Sequence, residues 1–184
     1  MQTDANLIWT GSPTGAAQAI TSAAVVSTGI HDLATGLMNT GTTFAASPLT
    51  IGNATFFGED LGVGWMRLML YATIGTVFAG GTSMTIGIQG AIDTIGAGNF
   101  SSLTFLTYAQ TGPLLTAQLT AGAMIPLPDW PRRISPAKLP RFIQLVYTPT
   151  GTFTTGTIAF AGMALDRPGF MNAPQYPSGF SVGA

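Results

Sequence analysis

The sequence predicts an all-β protein, with one β-sandwich or jelly-roll-like domain. Short segments alternate apolar with small or polar residues, glycine- and proline-containing turns separate them, and long stretches rich in Glu, Lys and Leu are absent. Several short strands joined by such turns are typical of sandwiches and jelly rolls. The length of 184 residues is enough for one domain with one core.

The clearest strand lies at 83–93, where the alternation has a period of two. One face carries Met84, Ile86, Ile88 and Ile92, and the other carries Thr85, Gln89 and Asp93. Successive side chains of a strand point to opposite faces of the sheet. We therefore expect the first set, Ile88 in particular, to face the core.

The remaining strands follow from similar patterns. The segment 65–72 predicts a strand buried on both faces, with Arg67 near a sheet end or lying over an aromatic ring. Further strands are predicted at 103–109, 114–120, 142–147 and 157–165, with one or two more in 17–32. Turns are predicted at 80–81, 96–99, 111–113 and 148–151.

Two regions depart from the strand pattern within a single domain spanning 1–184. The segment 37–60 has weak periodicity and predicts a long excursion. The segment 167–184 contains Pro168, Pro174 and Pro177, too many prolines for a helix, and predicts an extended C-terminal tail.

Charged residues are unusually scarce. They make up 7% of the chain, against about 25% in ordinary domains, and the net charge is −1. A monomer with so little charge has weak protection against association. The apolar run at 68–81 is too short for a spanning helix, and no secretory signal is recognised, so we expect a soluble protein whose surface is covered by partners.

Few residues suit catalysis or metal binding. The chain has no cysteine and one histidine, His31, whose neighbour Asp32 would point to the opposite face of a strand. A catalytic triad with a distant serine stays open, but a lone histidine is more often structural. Glu59 and Asp60 predict a solvated turn, and no phosphate-binding glycine motif occurs. We expect no enzyme, no cofactor and no metal site.

The cations are concentrated in one proline-rich stretch. Four of the six lysines and arginines lie there, namely Arg132, Arg133, Lys138 and Arg141. One interpretation is a docking patch for an acidic protein surface; the alternatives are a solvated loop and a phosphate site. Nucleic acid is the weakest of these, because the chain is not basic overall.

Several motifs resemble, in order, a family of small tailed-bacteriophage proteins that cement the head shell. These motifs are AQAIT at 17–21, LGVG at 61–64, IPLP at 125–128, RFIQLVY at 141–147, GTFTTGT at 151–157, DR at 166–167 and YPSGF at 176–180. The segment 37–60 does not match the family. The resemblance implies a β-sandwich, commonly a homotrimer, on the outer surface of the capsid in the virion. Its partners would be the major capsid protein and its own sister subunits, with no membrane or nucleic acid.

The tail offers a specific docking hypothesis. Tyr176, Pro177 and Phe180 combine aromatic rings with prolines, which suits extended docking on a neighbouring subunit or the capsid.

The main rival function is a carbohydrate- or receptor-binding module, in which Trp9, Trp65 and Trp130 would stack on sugar rings. A major shell subunit is disfavoured by the length and the scarcity of helix.

Overall fold

A computed structural model describes residues 8–11, 16–33, 37–44, 50–51, 54–55, 69–92, 98–128 and 140–164. Within these ranges the strands are β1 (Ile8–Thr10), β2 (Gln18–Ala19), β3 (Val25–Val26), β4 (Ile30–Asp32), β5 (Leu37–Asn39), β6 (Thr50–Ile51), β7 (Ala54–Thr55), β8 (Met69–Ile74), β9 (Ser83–Ala91), β10 (Leu106–Gln110), β11 (Leu114–Leu115), β12 (Met124–Pro126), β13 (Phe142–Thr150) and β14 (Thr157–Ala164). In the same ranges, 3₁₀ helices span Phe100–Ser102 and Thr116–Gln118.

The strands form two antiparallel sheets that pack face to face, which confirms the predicted β-sandwich. The five-stranded sheet has the order β1-β14-β8-β12, and β2 also pairs with β14. The seven-stranded sheet has the order β10-β9-β13-β4-β5, with β11 beside β9 and β3 beside β13. The strands β6 and β7 form a separate pair.

The strands β9 and β13 form the centre of the larger sheet, and their ladder runs from Phe142 opposite Ala91 to Thr150 opposite Ser83. Met84, Ile86 and Ile88 are fully buried, as the alternation predicts. Ile92 differs from the prediction and is 37% exposed, because the ladder with β13 ends one residue before it.

The strand β8 is central in the smaller sheet, between β14 and β12. It was predicted at 65–72; residues 65–68 lie outside the described ranges, and the strand continues to Ile74. Leu70, Ala72 and Ile74 are part of the core. The rings of Tyr71 and Phe160 pack against each other with their centroids 5.0 Å apart. The strand is thus buried on both faces over its described part, as predicted.

Some predicted boundaries are wrong for identifiable reasons. The predicted turn at 148–151 is mostly strand, because β13 extends to Thr150. Gly151, whose φ is 81°, makes the turn. The predicted strand at 114–120 ends at Leu115, because the Gln118 side chain accepts from the Leu115 N–H and closes a 3₁₀ turn. The segment 17–32 carries three strands instead of one or two.

The predicted excursion at 37–60 begins as part of the main sheet. Its first strand, β5, pairs with β4 along Ile30–Asp32. Further on, Thr43 bridges to Asn99, and Phe44 packs against Phe142 with ring centroids 4.3 Å apart. Residues 37–44 therefore extend the sheet and cover its outer face at one end.

The core holds the two sheets together through large side chains from both. Trp9, on the smaller sheet, is fully buried and donates its indole Nε1–H to the carbonyl of Ile143 on the larger one, at 3.0 Å. Elsewhere in the core, the rings of Phe78 and Phe153 pack edge to face with their centroids 4.9 Å apart. Gly156 beside this pair has φ of 143°, and a Cβ there would lie 2.1 Å from the Phe78 ring.

The Tyr147 phenol makes the stability of the fold depend on pH. Tyr147 is fully buried, and its hydroxyl lies 2.7 Å from the Thr10 hydroxyl. Burial raises the pKa of Tyr147 well above its ordinary value of 10.0, and the hydrogen bond with Thr10 opposes this only in part. The pKa of Tyr71 is raised by burial as well.

We expect the free energy of unfolding to fall as the pH rises above about 10. Below that pH both states keep the phenol protonated, so the full stability is present. Above it the unfolded chain ionises first, and the stability is lost as the pH rises through the folded-state pKa. Urea unfolding at several pH values between about 8 and 11 measures how steeply the free energy of unfolding falls with pH. For Tyr147→Phe we expect a smaller fall over the same range. Parallel curves for the two proteins would contradict this assignment.

Candidate interaction surface

The described part of the molecule exposes almost no formal charge. The whole chain has seven acidic residues and six lysines and arginines. Within the described ranges the only ones are Asp32 and Arg141, which are 1% and 9% exposed and bind each other. The solvent-facing surface of these ranges is therefore built from apolar and neutral polar groups.

Arg141 forms a buried, bidentate ion pair with Asp32. Its Nε and Nη2 each donate to a carboxylate oxygen at 3.0 Å. The guanidinium also lies over the rings of Phe44 and Phe142, at 5.2 and 4.7 Å from their centroids. Such a planar, forked contact with a carboxylate between aromatic rings suits arginine better than lysine.

This geometry corrects the interpretation of Arg141 as a docking cation. Its charge is neutralised inside the chain, and the packing of Phe44 withdraws it from the surface. Sequence reasoning grouped it with Arg132, Arg133 and Lys138 on spacing alone. Those three residues lie outside the described ranges, so the docking hypothesis for them stays a prediction.

His31 is placed as a structural residue. It is fully buried on β4, and its ring lies 5.8 Å from that of Trp9, tilted by 56°. The carboxylate of Asp32, its sequence neighbour, binds Arg141 instead. Both residues are withdrawn from solvent, so the described surface presents no histidine–aspartate pair to a substrate.

Other chemistry is equally sparse in this part of the chain. The described residues contain no cluster of three or more histidine, aspartate or glutamate side chains that could hold a metal ion. Every buried side-chain nitrogen and oxygen among them has a hydrogen-bond partner. Within the described ranges, the exposed apolar side chains are therefore the surface feature left to consider.

Trp9 does not serve the carbohydrate-binding alternative. A tryptophan that stacks on sugar must present a ring face to solvent, whereas Trp9 is fully buried and hydrogen-bonded between the sheets. Trp65 and Trp130 lie outside the described ranges. The alternative thus loses one of its three proposed stacking residues.

Three of the exposed apolar side chains lie together beside β10 in the larger sheet. Among the described residues, the large exposed apolar side chains are Val26, Val77, Ile92, Leu106, Tyr108 and Leu115. Ile92, Leu106 and Tyr108 share one groove of about 240 Å³. We call it the β10 groove, and its lining consists of Gly90, Ile92, Ser102, Leu103, Thr104, Leu106 and Tyr108.

A glycine shapes this groove. Leu106 on β10 pairs with Gly90 on β9, and a Cβ on Gly90 would lie 2.6 Å from the Tyr108 ring and 2.7 Å from Pro140. The absence of a side chain at Gly90 thus lets the Tyr108 ring lie close against the sheet. Leu106 stands beside it and is 62% exposed.

The groove lies at the edge of the larger sheet as far as the structure describes it, where β10 pairs only with β9. Natural sheets protect such edges with charges, prolines or covering loops. Residues 98–128, which include β10, contain no charged residue. Charged side chains within this stretch therefore do not protect β10.

The strand is predicted from the sequence, whereas the groove beside it is not. The available signal was a strand at 103–109 with large apolar side chains, inside a long stretch free of charge. The docking hypothesis from the sequence concerns Tyr176, Pro177 and Phe180, which lie outside the described ranges. The groove is thus an observation of the structure, whereas docking by the tail stays a prediction from the sequence.

Two comparisons with known proteins found no match. No protein-family model matches the sequence, and no curated protein matches it significantly. Among the described residues, no helix has the length and apolar character needed to cross a membrane.

Proposed function

We propose that this chain is a capsid cement protein, which binds the outer surface of a tailed-bacteriophage head as an oligomer and stabilises the shell. Its partners are the major capsid protein and sister copies of itself, arranged as a homotrimer. The observation that carries the proposal is the scarcity of charged residues, 7% of the whole chain, together with the exposed side chains of Ile92, Leu106 and Tyr108 beside β10. A virion component spends its working life assembled, so partners cover such a surface.

The fold suits a static binding role. The two sheets share a continuous core, and the buried polar groups of the described residues are satisfied. The titratable side chains His31, Asp32 and Tyr147 are used within the fold, in contacts with Trp9, Arg141 and Thr10. These features favour a structural protein over an enzyme.

The stabilising mechanism is thermodynamic linkage. A protein that binds the assembled shell and not its dissociated subunits shifts the equilibrium toward the shell, by about 2.7 kcal/mol per site at 100 times the dissociation constant. An oligomer engages several shell sites at once, so modest affinity per contact is enough. No chemistry at a catalytic centre is needed.

Shell stability tests this proposal directly. Expanded head shells that lack the protein are heated in calorimetry with and without a saturating amount of it, and we expect the disruption temperature to rise. Unassembled major capsid subunits serve as the control and should show no shift. An unchanged shell transition at saturation would contradict the proposal.

The tail should contribute to this binding without supporting the fold. Deleting residues 175–184 removes Tyr176, Pro177 and Phe180, and we expect weaker assembly on shells with an unchanged urea midpoint. Substitution of Ser178 by alanine in the same segment is the matched control. Equal shell binding by the deleted and complete chains would remove the tail from the interface.

A further inference from the structure

We infer that the β10 groove of one copy receives the C-terminal segment 174–182 of a neighbouring copy of this chain. This inference rests on the proposed function in its assumption of sister subunits, and it names the contact that links them. The groove and its occupant were identified from independent features, the first from geometry and the second from sequence.

The groove offers apolar surface to an aromatic side chain along part of its wall. Its volume is about 240 Å³, and the Tyr108 ring lies there beside the aliphatic side chains of Ile92, Leu103 and Leu106. Aromatic side chains that fill apolar pockets dominate the binding energy of many interfaces. The hydroxyls of Ser102 and Thr104 add hydrogen-bonding groups beside the apolar wall.

The C-terminal segment is complementary to it. Residues 168–184 contain no charged side chain, matching the uncharged stretch around β10. Tyr176 and Phe180 supply aromatic rings, while Pro174 and Pro177 restrict the backbone to extended conformations. A segment restricted in this way loses less entropy on binding than a flexible one.

The chain is long enough to reach a neighbour. The strand β14 ends at Ala164, and ten residues bring the chain from there to Pro174. Ten residues span up to about 35 Å when extended. A domain of this size has a radius of gyration of about 16 Å, so the segment can cross to an adjacent subunit.

Docking on a neighbour, and not within one subunit, follows from the proposed oligomer. A tail that folded back on its own subunit would cover the groove but would link no copies. A tail that binds a neighbouring copy supplies the contact between copies that an oligomer needs. In the groove the segment would lie beside β10, and addition of an extended segment to a strand is a common mode of peptide recognition.

Complementation between two full-length variants tests this inference without shells. Leu106→Asp places a charge in the groove and leaves the tail intact, whereas the double variant Tyr176→Ser, Phe180→Ser alters the tail and leaves the groove intact. Sedimentation velocity measures self-association of each. We expect at least about tenfold weaker self-association than the original protein for both.

An equimolar mixture of the two variants should form heterodimers but not trimers, because each pair can form one intact tail–groove contact and no further copy can be added. Leu115→Asp, at an exposed position of β11 outside the groove, is the matched control and should associate like the original protein. Circular dichroism verifies that every variant is folded. A mixture that stays monomeric, or self-association of Leu106→Asp equal to the original protein, would overturn the inference, as would an original protein that does not associate.

The test separates this inference from the proposed function. Association through the groove with no binding to head shells would keep the tail–groove contact and remove the cement role. Shell binding by an original protein that does not self-associate would keep the shell-binding role, and would remove the contact together with the homotrimer.

Discussion

Replacement of Arg141 by alanine is expected to lower the free energy of unfolding by about 3–5 kcal/mol. The substitution leaves the carboxylate of Asp32, which is 1% exposed, without its bidentate partner. It also removes the cation from between the rings of Phe44 and Phe142. The loss is large because a buried charge without a partner keeps its desolvation penalty and loses the compensating attraction.

Urea unfolding measures this effect as a shift in midpoint at constant slope. Arg141→Lys keeps the charge but cannot reproduce the forked contact, so we expect an intermediate loss. The double variant Asp32→Leu, Arg141→Met removes both charges and should recover most of the stability. A loss below about 1 kcal/mol for Arg141→Ala would match an ordinary surface pair and contradict the buried geometry.

The substitution Ile88→Asp is expected to abolish stable folding. Ile88 is fully buried between the sheets, at the centre of the ladder between β9 and β13. A carboxylate there finds no partner among the surrounding apolar residues, and its burial costs several kcal/mol beyond the lost apolar contacts. The total stability of a domain is only about 5–15 kcal/mol, so this one change removes much or all of it.

A graded series at the same position makes this prediction quantitative. Ile88→Val should cost about 0.5–1.5 kcal/mol and Ile88→Ala about 2–5 kcal/mol in urea unfolding. Thr85→Asp, on the opposite face of β9 and only half-buried, is the matched control, with an expected change within about 1 kcal/mol. If Ile88→Asp and Thr85→Asp were equally stable, the orientation of β9 would be wrong.

The fold class and the phase of the main strand were predictable because they depend on local alternation. Met84, Ile86 and Ile88 face the core because strand side chains alternate, whatever the strand pairs with. Boundaries depend on partners that are distant in sequence. Thr148 to Thr150 continue as strand because Ser83 to Thr85 lie opposite them, and no local pattern announces that pairing.

The site was harder to predict for a related reason. Arg141 belongs by sequence to a cationic stretch, yet Asp32, which lies 109 residues away, determines its role. Residues 37–44 look like an excursion because their contribution, a strand beside β4 and a ring over Arg141, is visible only in three dimensions. The β10 groove likewise depends on the pairing of Leu106 with Gly90 across two strands. The scarcity of charge, by contrast, could be read directly from the composition.

Co-sedimentation with head shells is the most direct test of the cement role. Purified full-length protein is mixed at increasing concentration with expanded shells that lack it, and the bound amount is measured against the major capsid protein. We expect the protein to bind the shells saturably, at a fixed ratio to the major capsid protein, and not to bind unassembled capsid subunits. Absence of binding to intact, expanded shells would contradict the account.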